Sequence, residues 1–181
     1  MDVKIERRVV VVDEGDRSRV ISDGPSPSVI TDPARPGFRS ALLWVTDRTP
    51  VRLKDLRESL SAGSPLIRPP PGGSLCRVVT FPPDATFVGR IGWEDVSSFY
   101  RSVGAPHVST SSPGSPHPYM QKTGTLDFCL VVEGRITLVL DTDEVDLTEG
   151  DIVVQRGTNH AWSNRSDKPC KIVFSEHDAF E

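Results

Sequence analysis

Cysteine is scarce in this sequence: three in 181 residues (Cys76, Cys129 and Cys170), an odd number without CxxC spacing. Neither a disulfide framework nor a thiolate zinc site is expected from that set. Positive charge is not in excess either, with 21 Lys and Arg against 25 Asp and Glu and a net charge of −4. With no surplus of cations to neutralise phosphates, no nucleic-acid partner is expected. Long apolar runs are missing too. Val9–Val12 and Phe128–Val132 are four and five residues, far below the ~18 that would span a bilayer, so no membrane partner is expected. Met1–Arg8 contains no apolar h-region, which leads to an expectation of no signal peptide and a cytoplasmic, reducing location.

What is present is a core-forming 36 % of hydrophobic residues, punctuated by 16 prolines and 14 glycines. Short β-branched or apolar runs recur at Val9–Val12, Ser40–Val45, Arg77–Phe81, Leu126–Val132, Arg135–Leu140, Ile152–Gln155 and Cys170–Ser175. Gly, Pro, Asp and Asn separate them, the pattern of an antiparallel sandwich or barrel. Glu133-Gly134 between two such runs predicts a tight hairpin. Helical spacing appears twice. Leu53, Leu56 and Leu60 define one face of a helix over Val51–Ser61, and Trp93, Val96, Phe99, Tyr100 and Val103 define one over Trp93–Val103. Ser109–Pro118 is polar and aperiodic and reads as a surface loop or a flap. One domain over 1–181 is expected, with an N-terminal extension and helix in 1–75 and a barrel in 76–181.

The chemistry concentrates in 118–164. Alternation along the strand through 125–131 puts Gln121, Thr123, Asp127, Cys129 and Val131 on one side and Leu126, Phe128, Leu130 and Val132 on the other. A mixed polar face opposite a wholly apolar one fits a polar-lined pocket whose outer wall is covered by another sheet or subunit. Arg77 and Lys171 are candidates for anion clamps, with their strand phase left open.

This segment resembles the two motifs of the cupin superfamily, in particular the small single-domain cupin-2 type of bacteria and fungal secondary-metabolite clusters. In the first motif Gln121 and Thr123 stand in the two His positions, and Asp127 stands in the Glu position, with six residues between it and Gly134. In the second, Gly150, Gly157, His160 and Asn164 match in spacing, with Gln155 replacing the proline. The resemblance implies an all-β cupin barrel, double-stranded and jelly-roll-like, with an N-terminal extension and two short helices, in a homodimer. Swapped N-terminal strands and a sheet-to-sheet contact would then cover the outer face of Phe128, Leu130 and Val132.

The resemblance further implies a small-molecule enzyme. Two of the usual metal-binding imidazoles are replaced, so His160, Gln121 and Asp127 would form either a metal-free hydrogen-bonded cluster or a weak divalent site for Zn, Mn or Fe. The favoured activity is that of a lyase or isomerase (a decarboxylase, dehydratase or cyclase) on a polyketide-like intermediate. His160 would be its general acid or base, Asp127 its orienting carboxylate or base, and Gln121 an oxyanion donor. Trp162, Thr123, Cys129 and His117 are the candidate substrate contacts. A metal-dependent dioxygenase and a non-catalytic metabolite-binding protein are the alternatives.

Overall fold

The computed structural model describes residues 7–53 and 66–180. In chain order the strands are β1 (Arg7–Glu14), β2 (Arg17–Pro25), β3 (Ser28–Thr31), β4 (Arg39–Thr46) and β5 (Ser74–Phe81). The helix α1 (Trp93–Ser102) follows. The remaining strands are β6 (Thr125–Glu133), β7 (Arg135–Val139), β8 (Glu144–Thr148), β9 (Ile152–Arg156), β10 (Ala161–Ser163) and β11 (Cys170–Asp178). β1 and β2 form a separate hairpin through Gly15 and Asp16, both at positive φ, as a tight turn matched to strand twist requires. A six-stranded antiparallel sheet runs β3-β4-β5-β11-β6-β9, and a three-stranded one runs β10-β7-β8.

The class is all-β, as expected, but the two sheets form an open sandwich instead of a closed barrel. β3 and β9 remain edges of the large sheet, and Gln121 adds a single rung beside β10, exchanging two backbone hydrogen bonds with His160. The line drawn at 75/76 falls inside β5, and β3 and β4 complete the same sheet that carries β6 and β11.

Every sequence-predicted strand is present. β2, β3, β8 and β10 were missed, being short, polar or largely exposed, so that periodicity hardly marks them. The Glu133-Gly134 hairpin is a correction. β6 pairs with β11 and β9, whereas β7 pairs with β10 and β8, so the two runs lie in different sheets. Gly134, at φ 83°, turns the chain from one layer to the other. A Cβ there would stand 3.0 Å from the Pro169 carbonyl oxygen. The cue was right for a turn and silent on the partner.

α1 is one helix of the expected pair, and most of the other, over 51–61, lies outside the described residues. Asp95 caps the α1 start by accepting from the Gly92 N–H at 2.8 Å. Glu94 lies in the first turn and Arg101 in the last, both favourable to the helix dipole. Gly104 at φ 70° ends the helix. Val96, Phe99, Tyr100 and Val103 are buried as expected, but Trp93 is 64 % exposed. It occupies the first turn, before the helix meets the sandwich.

One core lies between the layers, built on Phe38, Val79, Phe81, Phe99, Trp162, Ile172 and Phe174. Its far end is tied by Asn164, which is wholly buried. The Asn164 amide donates to the carbonyls of Phe81 (2.9 Å) and Lys168 (2.8 Å), and its oxygen accepts from the Ser166 N–H and hydroxyl. Asp84 and Asn164 bond each other through the Asp84 N–H (2.7 Å) and the Asn164 N–H (3.1 Å). An Asn164→Ala variant would remove the side-chain donor to the buried Phe81 carbonyl and the acceptor of the Ser166 N–H. It is expected to lose on the order of 3 kcal/mol, seen as a drop in Tm of about 6–12 °C by calorimetry.

Candidate functional site

A cavity of about 90 Å³ opens between the sheets. Its walls carry two polar groupings set among aromatic rings. The first is a row across the large sheet. Asp127 on β6 is in register with Glu176 on β11 and, on its other side, with Gln155 on β9. Directly opposed antiparallel side chains stand ~5 Å apart at Cβ, so the three head groups form one inward-facing strip. Arg77 reaches it from β5, with Nε 2.8 Å from Glu176 Oε1. All four residues are buried.

Burial dominates the electrostatics of this row. It raises the Asp127 carboxyl, against the opposing pull of Thr125 and Arg77. It raises Glu176 to about 7, with Arg77 opposing and Asp127 reinforcing. Two carboxylates sharing one guanidinium cannot both stay ionised cheaply in a dry site. The pair therefore keeps a proton into the neutral range and titrates as a unit.

The second grouping is a chain of hydrogen bonds whose direction follows from one carbonyl. His160 Nδ1 lies 2.9 Å from the Thr158 carbonyl oxygen, which can only accept, so Nδ1 carries the proton. Nε2 of the neutral ring is then the acceptor for the Gln121 amide N–H at 3.2 Å. The Gln121 oxygen in turn accepts from the Tyr100 hydroxyl at 2.9 Å. Burial lowers the His160 pKa to about 4, the bond to Thr158 pulling slightly upward. Its unperturbed pKa made His160 the natural proton carrier; its surroundings make it a neutral anchor with both nitrogens engaged.

The other expected site residues divide. Gln121, Thr123, Asp127, His160 and Trp162 all line the cavity. Thr123 accepts a 2.9 Å bond from Thr125. Trp162 packs edge-on against Phe174 and His160, and its indole N–H has no protein partner. Cys129 and His117 do not line the cavity. Cys129 is buried one rung beyond Asp127, where burial raises its thiol and the thiol meets the Gln155 oxygen at 3.9 Å. His117 is buried beside Phe87 and Tyr119, with Nδ1 accepting from the Tyr119 N–H and Nε2 3.6 Å from Asp84. Burial acts to raise Asp84, but its bonds from His117 and Ser163 outweigh it and lower the carboxyl overall. The Val108 carbonyl accepts from the Lys122 N–H and the Thr110 N–H donates to the Met120 carbonyl, which fastens the base of the 109–118 loop. Lys171 pairs with Glu133 at 3.1 Å rather than facing inward.

Glu176, Arg77, Gln155 and Tyr100 complete the site. The alternation Cys170, Ile172, Phe174 places Glu176 inward once that strand is extended by one residue. Leu75, Val79 and Phe81 place Arg77 inward in the same way. No comparable signal marks Tyr100, since its role depends on where α1 docks. Arg35 is a further lining residue. Its guanidinium lies 3.6 Å from the Tyr119 ring centroid and 3.8 Å from that of Phe38, and its Nε bonds Asp32 at 2.8 Å.

The donor set does not fit a resident metal ion. Among the described residues no three His, Cys, Asp or Glu converge as ligands. The one imidazole directs its lone pair at an amide N–H, and the acidic row is already neutralised by Arg77 and a shared proton. Among the described residues no helix is long and apolar enough to cross a membrane.

The chain is thus a two-layer antiparallel β sandwich with a partly polar, ring-walled cavity between its sheets. More particularly, the chain carries a cupin domain of the Cupin_2 type, whose family model matches residues 107–176. It is 33 % identical over 133 residues to the phomopsin biosynthesis cluster protein C' of Diaporthe leptostromiformis, covering 71 % of this chain and 54 % of that protein. It is 27 % identical over 127 residues to the cupin-domain-containing oxidoreductase virC of Hypocrea virens, covering 68 % and 48 %. The chain thus spans about half the length of the curated relatives it matches. Among solved structures it is similar to the Schizosaccharomyces pombe Cnp3 cupin domain, at 10 % identity and a TM-score of 0.46, over 96 % of this chain and 88 % of that one.

Two opposite pH dependences follow. His160, lowered to about 4, contributes stability above its unfolded pKa of ~6.5, and that stability is lost as pH falls towards 4. Glu176, raised to about 7, contributes stability below its unfolded pKa of ~4.3, lost as pH rises through 7. Thermal melts from pH 4 to 8 are expected to separate them. Glu176→Gln should gain Tm over the wild type at pH 8 and match it below pH 5, while His160→Asn should flatten the acid limb.

Proposed function

We propose that the cavity performs proton transfer on a small, oxygenated, partly apolar molecule, as a lyase or isomerase of secondary metabolism. The observation that carries this reading is the cross-strand pair of Asp127 and Glu176, buried face to face on the cavity wall with one guanidinium beside them. A pair that retains one proton offers an acid and a base side by side near neutral pH. The ionised carboxylate takes a proton from the carbon next to a carbonyl. The protonated partner gives its proton to the carbonyl oxygen as charge develops there. Return of a proton to another carbon is isomerisation. Expulsion of a β-hydroxyl as water is dehydration. A β-keto carboxylate instead breaks its C–C bond, releases carbon dioxide and takes the pair's proton on the resulting enolate. His160, with Gln121 and Tyr100, holds the opposite wall in place.

The phomopsin cluster relative supports a place in a fungal biosynthetic pathway. The oxidoreductase name of the virC relative favours a second reading, metal-dependent oxidation. Elemental analysis of protein expressed with added iron, manganese and zinc separates the two readings, and stoichiometric metal would favour oxidation. For proton transfer itself, the assays are α-proton exchange of phenylacetone in heavy water and carbon dioxide release from benzoylacetate. Wild-type protein should accelerate at least one, and Asp127→Asn and Glu176→Gln should each lower that rate by about a hundredfold. Equal rates in wild type and both variants would sink the reading.

The outer face of the large sheet supports a homodimer. Phe128, Val132, Ile152 and Val154 are exposed there, and Val9, Val11, Val20 and Ile21 are exposed on the β1–β2 hairpin. A second copy would cover both apolar surfaces. Sedimentation at micromolar concentration should give a dimer for the wild type and a monomer for Ile152→Glu with Val154→Glu. A wild-type monomer would overturn the assignment.

A further inference from the structure

Besides Arg77 Nε, which is ion-paired with Glu176, three polar atoms on the cavity wall lie deeply buried and make no hydrogen bond with the protein: Asp127 Oδ1, Gln155 Nε2 and Trp162 Nε1. Native proteins seldom leave such atoms unsatisfied, because the desolvation of each is uncompensated. Here three occur on one small cavity, and their placement is specific. Asp127 and Gln155 are in register on adjacent strands, so an acceptor and a donor sit together on the large sheet. The Gln155 amide is oriented by the Cys129 thiol, which can donate only to its oxygen, leaving the N–H₂ for the cavity. Trp162 belongs to β10 in the other sheet. Its N–H is a lone donor on the opposite wall.

The space between is walled by rings. Phe174 packs edge-on against Trp162 at 5.5 Å between centroids, and Phe81 lies at 6.2 Å. Stacked sheets stand ~10 Å apart, so a molecule touching both polar ends must cross an apolar gap about one ring wide. Each cavity guanidinium already has its own carboxylate, Arg77 with Glu176 and Arg35 with Asp32. Neither end asks for a charged ligand.

We propose that the cavity recognises a neutral, single-ring hydroxy-carbonyl compound. Its hydroxyl donates to Asp127 Oδ1 and accepts from the Gln155 amide, and its carbonyl oxygen, on the far edge of the ring, accepts from the Trp162 indole N–H. This rests on the proton-transfer reading only in sharing Asp127.

The test is binding without turnover, by calorimetry or ligand-detected NMR at pH 7. The probes are 4-hydroxybenzaldehyde, benzaldehyde (no hydroxyl) and 4-methylphenol (no carbonyl). Wild-type protein should bind 4-hydroxybenzaldehyde about ten-fold more tightly than either analogue. Trp162→Phe, which removes the N–H and keeps a ring, should erase the advantage over 4-methylphenol and leave 4-methylphenol itself unchanged. Gln155→Met should weaken both hydroxylated probes and spare benzaldehyde. Near-ultraviolet circular dichroism checks that each variant keeps its packed core, and a variant that loses it is replaced by Trp162→Leu or Gln155→Leu. Equal affinity of wild-type protein for the three probes, or a ranking that survives Trp162→Phe, overturns the proposal. The outcome is independent of the exchange assay: the ranking can hold in a protein that moves no proton, and exchange can proceed in one that ignores the ranking.

Discussion

Two carboxyl groups held face to face between β6 and β11, with one guanidinium within reach, impose the constraint around which the site is arranged. A dry site tolerates one such ion pair, and the extra negative charge is met by retaining a proton. The same constraint links the site to the fold. Only a sheet whose strands keep register to the residue can oppose Asp127, Glu176 and Gln155, since a slip of one residue would turn every member of the row outward. β11 lies between β5 and β6 and holds both Arg77 and Asp127 to Glu176. Its integrity is therefore a condition of the polar row as well as of the core.

The opposite wall obeys a different rule. There a single backbone carbonyl, that of Thr158, sets the tautomer of His160 and through it the direction of every bond out to Tyr100. Full burial removes the imidazole from the titration range that makes histidine useful as a proton carrier. Acid–base capacity thus sits with the carboxyls, and rigidity with the imidazole. The motif histidine keeps its place in the sequence pattern while its surroundings change what it can do.

Apolar residues also serve two ends. Those between the layers pack the core around the cavity. Those on the outer face of β6 and β9, and on the β1–β2 hairpin, remain in solvent. Alternation along β6 generates both sets at once, because residues that point away from the polar row must point at something else. Gly134 lets the chain leave β6 for the second layer within one residue, and Asn164 ties the far end of that layer back to β5.

The sequence by itself determined the all-β class, seven of the strands, most of the buried face of α1, and the shared inward side of Gln121, Thr123 and Asp127. All of these follow from periodicity and spacing, which are local properties of the chain. Tertiary structure alone decided the rest. Which strands pair is a matter of long-range register, so Glu133-Gly134 proved to be a corner between sheets, and Glu176 came to face Asp127 from 49 positions along the chain. Whether His117 and Cys129 reach the cavity depends on neighbours from other elements, namely Phe87, Tyr119, Asp84 and Gln155. The charge state of His160 and of the carboxyl pair depends on burial. Burial is a sum over everything packed around a group, and a linear pattern carries only the part contributed by its own strand.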